Sequence, residues 1–132
     1  MSSTILFLCP HHAAKSVIAA AYFNQLVQQK GLSWAGDSAG TEPDEAVSPV
    51  LVAMLKQENI DVSQHQPRRV TADELQSAAR IISMGCTAEE LNVSPTQVEQ
   101  WSDIPAVSQD PDGAREAIRT HIETLVAELQ TG

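Results

Sequence analysis

The sequence predicts a small α/β domain built on a parallel sheet, and three observations carry that expectation. Thr4-Ile5-Leu6-Phe7-Leu8 is a short apolar run with no polar alternation beyond Thr4, the pattern of a strand buried on both faces. A helical pattern with a broad apolar face follows almost at once. Further strand-like runs then alternate with helical ones to the end of the chain, as βαβ connections require.

Each element has its own signal. After the first strand and a short segment, Cys9 to Lys15, Ile18, Tyr22 and Leu26 recur every four residues, as do Ala19, Phe23 and Val27. That face suits a helix packed on a sheet. Lys30-Gly31 supplies a cation and a glycine at its end. Leu32 to Ser38 reads as the second strand, and Ala39-Gly40-Thr41-Glu42-Pro43 as a turn-rich loop. Ser48-Pro49 opens a helix whose buried face is Leu51, Met54 and Leu55. Thr71-Ala72-Asp73-Glu74 is a capping box. Arg80 to Met84, containing Ile81-Ile82, is the third strand. Thr87 to Glu90 repeats the capping pattern, and Val98 to Trp101 is a short fourth strand. Asp110-Pro111 caps a last helix with Ile118, Ile122, Leu125 and Leu129 on one face.

Composition narrows the function classes. The 132 residues suit one domain over 1–132, and no repeat or linker divides them. Eight Lys plus Arg against 17 Asp plus Glu give a net charge of −9. Nucleic-acid and anionic-membrane surfaces need a basic footprint, so neither partner is expected. No apolar run approaches a membrane span, and the N-terminus lacks signal-peptide features. The two cysteines, Cys9 and Cys86, are far apart and fit no disulfide framework or zinc spacing. A cytoplasmic protein is the expectation. No metal is expected either: adjacent His11 and His12 on a tight loop do not aim at one ion. His65 and His121 read as surface residues, Trp34 and Trp101 as core, and Arg68-Arg69 as a solvated basic pair.

The loop Cys9-Pro10-His11-His12-Ala13-Ala14-Lys15-Ser16 carries most of the functional information. Ligands bind at the carboxyl ends of strands in open α/β sheets, and Cys9 sits at such an end. The loop runs straight into a helix N-terminus, where backbone N–H groups and the helix dipole favour an anion. The same field favours a thiolate at Cys9. Lys15 adds a positive charge, and Ser16 can donate to the sulfur or cap the helix. These residues are those of a site holding a tetrahedral oxyanion against a sulfur nucleophile.

Cys9, five residues, a cation and Ser16 resemble the Cys-x5-Arg-Ser loop of low-molecular-weight tyrosine phosphatases and thiol-dependent arsenate reductases. The reductase loop Cys-Val-His-Asn-Ala-Gly-Arg-Ser matches at Cys9, His11, Ala13 and Ser16. Ser38-Ala39-Gly40-Thr41-Glu42-Pro43 is similar to that branch's Ser-Ala-Gly-Thr-Glu-Pro. Ile60-Asp61-Val62-Ser63 resembles its Ile-Asp-Leu-Ser, Met84-Gly85-Cys86 its Met-Gly-Cys, and Trp101 its late Trp. The resemblance runs over about residues 3 to 129. It implies a three-layer fold, with a four-stranded parallel sheet and helices on both faces. It also implies that Cys9 attacks arsenate or phosphate while Lys15 and the loop amides of His11, His12, Ala13, Ala14 and Ser16 hold the oxygens. Ser16 would support the thiolate. No bound cofactor is implied; a reductase would draw on an external small-thiol or thioredoxin-type reductant.

The sequence departs from this pattern in one short loop. Lys15 replaces an Arg, so positive charge survives without a bidentate fork; a lost oxyanion contact costs on the order of 10²–10³ in rate. His12 replaces a bracing Asn. Ala14 replaces a Gly and would resist a positive φ. For the general acid, Asp103 is the candidate, but shifting the alignment at Pro105 puts Ala106 there instead. Cys86 is either a redox partner for Cys9 or a small buried hydrophobe. Two function classes therefore stand: an arsenate reductase-like thiol enzyme (with a low-molecular-weight tyrosine phosphatase as the alternative enzyme), and a catalytically weakened or inactive oxyanion or phospho-ligand binding protein.

Overall fold

The computed structural model describes residues 3–10 and 14–131. Four strands, β1 (Ser3–Leu8), β2 (Trp34–Ala39), β3 (Arg80–Ser83) and β4 (Val98–Gln100), form one sheet in the order β2-β1-β3-β4. All three pairings are parallel. Five helices connect and follow them: α1 (Lys15–Gln29), α2 (Pro49–Lys56), α3 (Ala72–Ser77), α4 (Ala88–Leu91) and α5 (Pro111–Thr131). A 3₁₀ turn at Pro95–Gln97 leads into β4. The expected four-stranded parallel sheet with helices on both faces is the observed fold.

The central strand explains the layering. On β1, Ile5 and Phe7 face one core, shared with Ile18, Phe23, Leu51, Leu55, Ile118 and Ile122 from α1, α2 and α5. Leu6 and Leu8 face the other, with Leu75 of α3, Leu91 of α4, Ile81 and Val98. A strand between two cores has no polar face, which is why its sequence shows no alternation. Each fully buried side chain of this size contributes about 1.5–3 kcal/mol of burial free energy.

The ends of the helices follow the sequence closely. After α1, Gly31 has φ +67, Leu32 N–H donates to Val27 O at 2.9 Å and Gly31 N–H to Gln28 O at 3.3 Å, a Schellman closure. That closure consumes Leu32, so β2 starts at Trp34 rather than at 32. Both capping boxes form: Thr71 with Glu74 and Thr87 with Glu90. Asp110 caps α5 by accepting from Gly113 N–H at 3.0 Å. Ser48 precedes α2 without a side-chain cap bond, leaving Pro49 as the operative start signal.

The exposed edge of β2 is closed by a side chain. Asn24 of α1 donates to Gly36 O at 3.0 Å and accepts from Gly36 N–H at 2.7 Å. The amide thus imitates a neighbouring strand and blocks edge pairing. Gly36 also lets the Phe7–Phe23 pair approach, since a Cβ there would lie 2.9 Å from Phe23 Cδ2 and 3.2 Å from Phe7 Cε2.

Candidate active site

The parallel sheet collects the carboxyl ends of β1 and β3 at one edge. Cys9 N–H continues the ladder to Ala39 O at 3.3 Å, and Met84 N–H continues it to Leu8 O at 2.7 Å. Pro10 is fixed from two sides: its carbonyl accepts from Glu42 N–H at 2.7 Å, and Gly85 packs against its ring. Gly85 has φ +119, and a Cβ there would sit 3.1 Å from Pro10 Cδ. The chain leaving Cys9 is therefore held by the loop after β2 and the loop after β3.

Cys9 is 5% exposed and Ser16 is fully buried. Cys9 Sγ lies 3.0 Å from Ser16 Oγ. With the sulfur as a thiolate, the Ser16 hydroxyl is the donor of this pair. Ser16 is the second residue of α1, whose first turn carries no acidic side chain, so the positive end of the helix dipole is not neutralised there. Ala14, which precedes α1, has φ −148. The concern that alanine would resist a left-handed backbone at this position does not apply.

A cleft of about 330 Å³ opens over this sulfur. Cys9, Ala14 and Lys15 line one side, and Ala106, Val107 and Ser108 form a wall without aromatic rings. Lys15 reaches across the cleft, and its ammonium donates to the carbonyl of Ile104 at 3.1 Å. The late loop and the cysteine loop are thereby joined through the one cation of the motif.

The sequence-derived candidates part company here. Cys9, Ala14, Lys15 and Ser16 come together. His11, His12 and Ala13 lie outside the described residues. Asp103 does not line the cleft: its Oδ1 lies 2.8 Å from His121 Nε2 on α5. The bond to His121 holds its carboxyl below the usual range. The carboxyl that does line the cleft is Asp44. It sits in the loop after β2, and the rule that ligands gather at strand carboxyl ends would have pointed to it. The aliphatic lining residue Met84 follows from the same rule applied to β3.

Cys86 occupies the second core, 1% exposed among Leu6, Leu8 and Leu91. Thr41 Oγ1 is 3.8 Å from its sulfur, and burial pushes its thiol up. Its backbone is pinned by Ser83 Oγ, which accepts from Cys86 N–H at 2.8 Å and donates to Cys86 O at 2.7 Å. Among the described residues no three His, Cys, Asp or Glu side chains gather as metal ligands, and no helix is long and apolar enough to cross a membrane.

Two surface expectations change. His121 is not a plain surface residue, because its ring stacks on Trp101 with centroids 4.5 Å apart. Arg68 is not simply solvated: it bonds both Glu74 oxygens, at 2.7 and 2.5 Å, and Asp37 at 3.0 Å.

Strand, buried cysteine, dipole end and cation define a cysteine-centred, oxyanion-handling fold. The model of the low molecular weight phosphotyrosine protein phosphatase family matches residues 4–104, and the chain belongs to that family. It is 30% identical over 125 residues to a candidate arsenate reductase of Halobacterium salinarum, covering 93% of this chain and 87% of that protein. It is 26% identical to arsenate reductase 1 of Staphylococcus haemolyticus, over 96% of this chain and 94% of that one. Among solved structures, YfkJ from Bacillus subtilis shares the fold with a TM-score of 0.86 at 22% identity, covering 99% of this chain and 96% of that one.

Proposed function

We propose that this chain is an arsenate reductase-like thiol enzyme in which Cys9 attacks a bound tetrahedral oxyanion. The observation that carries the reading is the buried Cys9 Sγ–Ser16 Oγ contact at 3.0 Å, at the base of a cleft lined also by Lys15. Backbone amides of residues 11 to 16 and the Lys15 ammonium hold the oxygens. Cys9 forms a sulfur–arsenic bond as an arsenic–oxygen bond breaks, and the oxygen leaves as water. An external thiol then attacks the Cys9 sulfur. The sulfur–arsenic electron pair stays on arsenic, releasing arsenite and a mixed disulfide. A second thiol equivalent returns Cys9 to its reduced form. Small thiols and thioredoxin-type proteins are the reductants of suitable chemistry.

Two features favour arsenate over phosphotyrosine. The wall formed by Ala106, Val107 and Ser108 has no ring to stack on a phenol, and the 30% identical relative is named for arsenate reduction. A second reading, a phosphate or phospho-ligand binding protein, draws on other observations: Asp103 is engaged by His121, and Lys15 is engaged by Ile104. Arsenate reduction with a thiol system and hydrolysis of an aryl phosphate, each measured for the wild type and Cys9→Ser, separate the two. Cys9-dependent reduction is expected. Phosphate binding with no Cys9-dependent turnover of either substrate would establish the binding protein instead.

A further inference from the structure

The geometry points to His121 as a positioning residue: by holding Asp103 and stacking on Trp101 it sets the wall of the Cys9 cleft and, through Ile104, the place of the Lys15 ammonium. The chain of contacts is continuous. Trp101 is fixed to the sheet, its N–H donating to Ser83 O at 2.9 Å and its ring packing on Phe7 with centroids 5.9 Å apart. His121, projecting from α5, lies parallel to that ring at 14°. Its Nε2 meets Asp103 Oδ1 at 2.8 Å. At neutral pH the Asp103 carboxylate can only accept, so Nε2 carries the proton and donates. Ile104 comes next in the chain, buried, with its carbonyl taken by Lys15 Nζ at 3.1 Å. Ala106, Val107 and Ser108, which follow, are the wall itself.

Between Trp101 and α5 the segment has no regular secondary structure. Its position is set by side-chain anchors rather than by a ladder, so each anchor counts. An ammonium has three donors on a flexible stem. Tied to Ile104 O, it keeps two for an oxyanion and is aimed by the loop. Loss of the His121 bond frees the loop, and with it the carbonyl that aims Lys15. Binding of the oxyanion then weakens in ground and transition states alike, which raises KM and spares kcat.

This inference rests on the anion-handling reading of the cleft, and its test keeps the two apart by reading the affinity for inorganic phosphate beside turnover. In His121→Ala, phosphate affinity is expected to fall about five-fold or more, and KM for the turned-over substrate to rise by the same factor, with kcat within about two-fold. His121→Gln keeps a side-chain N–H donor for Asp103 and is expected to recover most of the loss. Asp103→Ala should reproduce His121→Ala, and the double variant should be no worse than either single one, as coupled residues require. Unchanged phosphate affinity in His121→Ala overturns the proposal. So does a Gln variant as impaired as Ala, a double variant whose losses add, or a wild type that binds no phosphate. Absence of Cys9-dependent turnover with these affinity changes intact overturns the enzyme reading alone.

Discussion

Cys9 and Cys86 follow neighbouring parallel strands at the same end of the sheet, yet their side chains pack in opposite cores. Cys9 joins Ile5 and Phe7 on the α1 and α5 side, and Cys86 joins Leu6 and Leu8 on the α3 and α4 side. A disulfide requires the two Cα atoms within about 7 Å and Cβ vectors that converge. Cys86 sits among the apolar side chains of its own core, 1% exposed against 5% for Cys9. Iodoacetamide on the native protein is therefore expected to alkylate Cys9 while leaving Cys86 unmodified until denaturant is added, and phosphate should protect Cys9. Peptide mapping by mass spectrometry reads both sites. Native labelling of Cys86 at the rate of Cys9 would favour the redox-partner role over that of a buried hydrophobe.

Gly85 links the third strand to the cysteine loop. Its φ of +119 excludes most side chains, and an added Cβ would press Pro10 Cδ at 3.1 Å. Gly85→Ala should cost about 1–3 kcal/mol in stability, measured by urea unfolding. Because Pro10 adjoins Cys9, Cys9-dependent turnover should fall further than unfolding accounts for at working temperature.

Tyr22 offers a pH test free of overlap, since it is the only tyrosine in the chain. Its hydroxyl donates to Glu58 Oε2 at 2.5 Å, with Arg119 bonded to the same carboxylate and placed over the ring at 4.8 Å. Burial first, then the Glu58 bond, push its pKa up to about 12. The folded pKa exceeds the unfolded value, so the contribution to stability is complete below pH 10 and fades as pH rises from 10 through about 12. Ultraviolet titration should show a midpoint near 12 that moves toward 10 in Glu58→Gln. A wild-type midpoint near 10 would mean that the phenol is not held in this way.

Glu74 gives the opposite sign. Arg68 chiefly, with the Thr71 cap, holds its carboxyl below the usual range. That contribution is present above the ordinary glutamate pKa and is lost as pH falls through the lower folded value. Arg68→Ala should therefore destabilise the protein by about 1 kcal/mol at neutral pH. The gap between variant and wild type should narrow below pH of about 4. Thermal unfolding across pH reads this directly; a gap constant with pH would assign the loss to packing.

Lys15→Arg probes the departure from the family loop. Arginine supplies the bidentate fork for an oxyanion, while the bond to Ile104 O is built for the lysine ammonium. If oxyanion grip limits turnover, kcat/KM should rise by about ten-fold or more. A fall in kcat/KM would show that the Ile104 tether matters more than the fork.

Most of the architecture was legible in the residues themselves. The apolar run of β1, the Gly31 stop, both capping boxes and the Asp110 cap each act through neighbours in sequence, so local chemistry dictates them. The strand end before Cys9 and the helix start at Lys15 and Ser16 were legible for the same reason, since each acts through its sequence neighbours. The boundary of β2 was missed by two residues at its start because the Schellman bond takes Leu32, a competition that periodicity does not register.

Tertiary structure alone decided what the distant residues do. Asp103 and His121 are remote in sequence, and only the docking of α5 against α1, with His121 on the Trp101 ring, brings them to 2.8 Å and turns Asp103 from the cleft. Asp44 reaches the cleft, and Cys86 leaves it for the other core, because sheet order and strand register fix which face each loop serves. Such pairings are set by packing over the whole molecule, where burial of apolar surface outweighs any local preference.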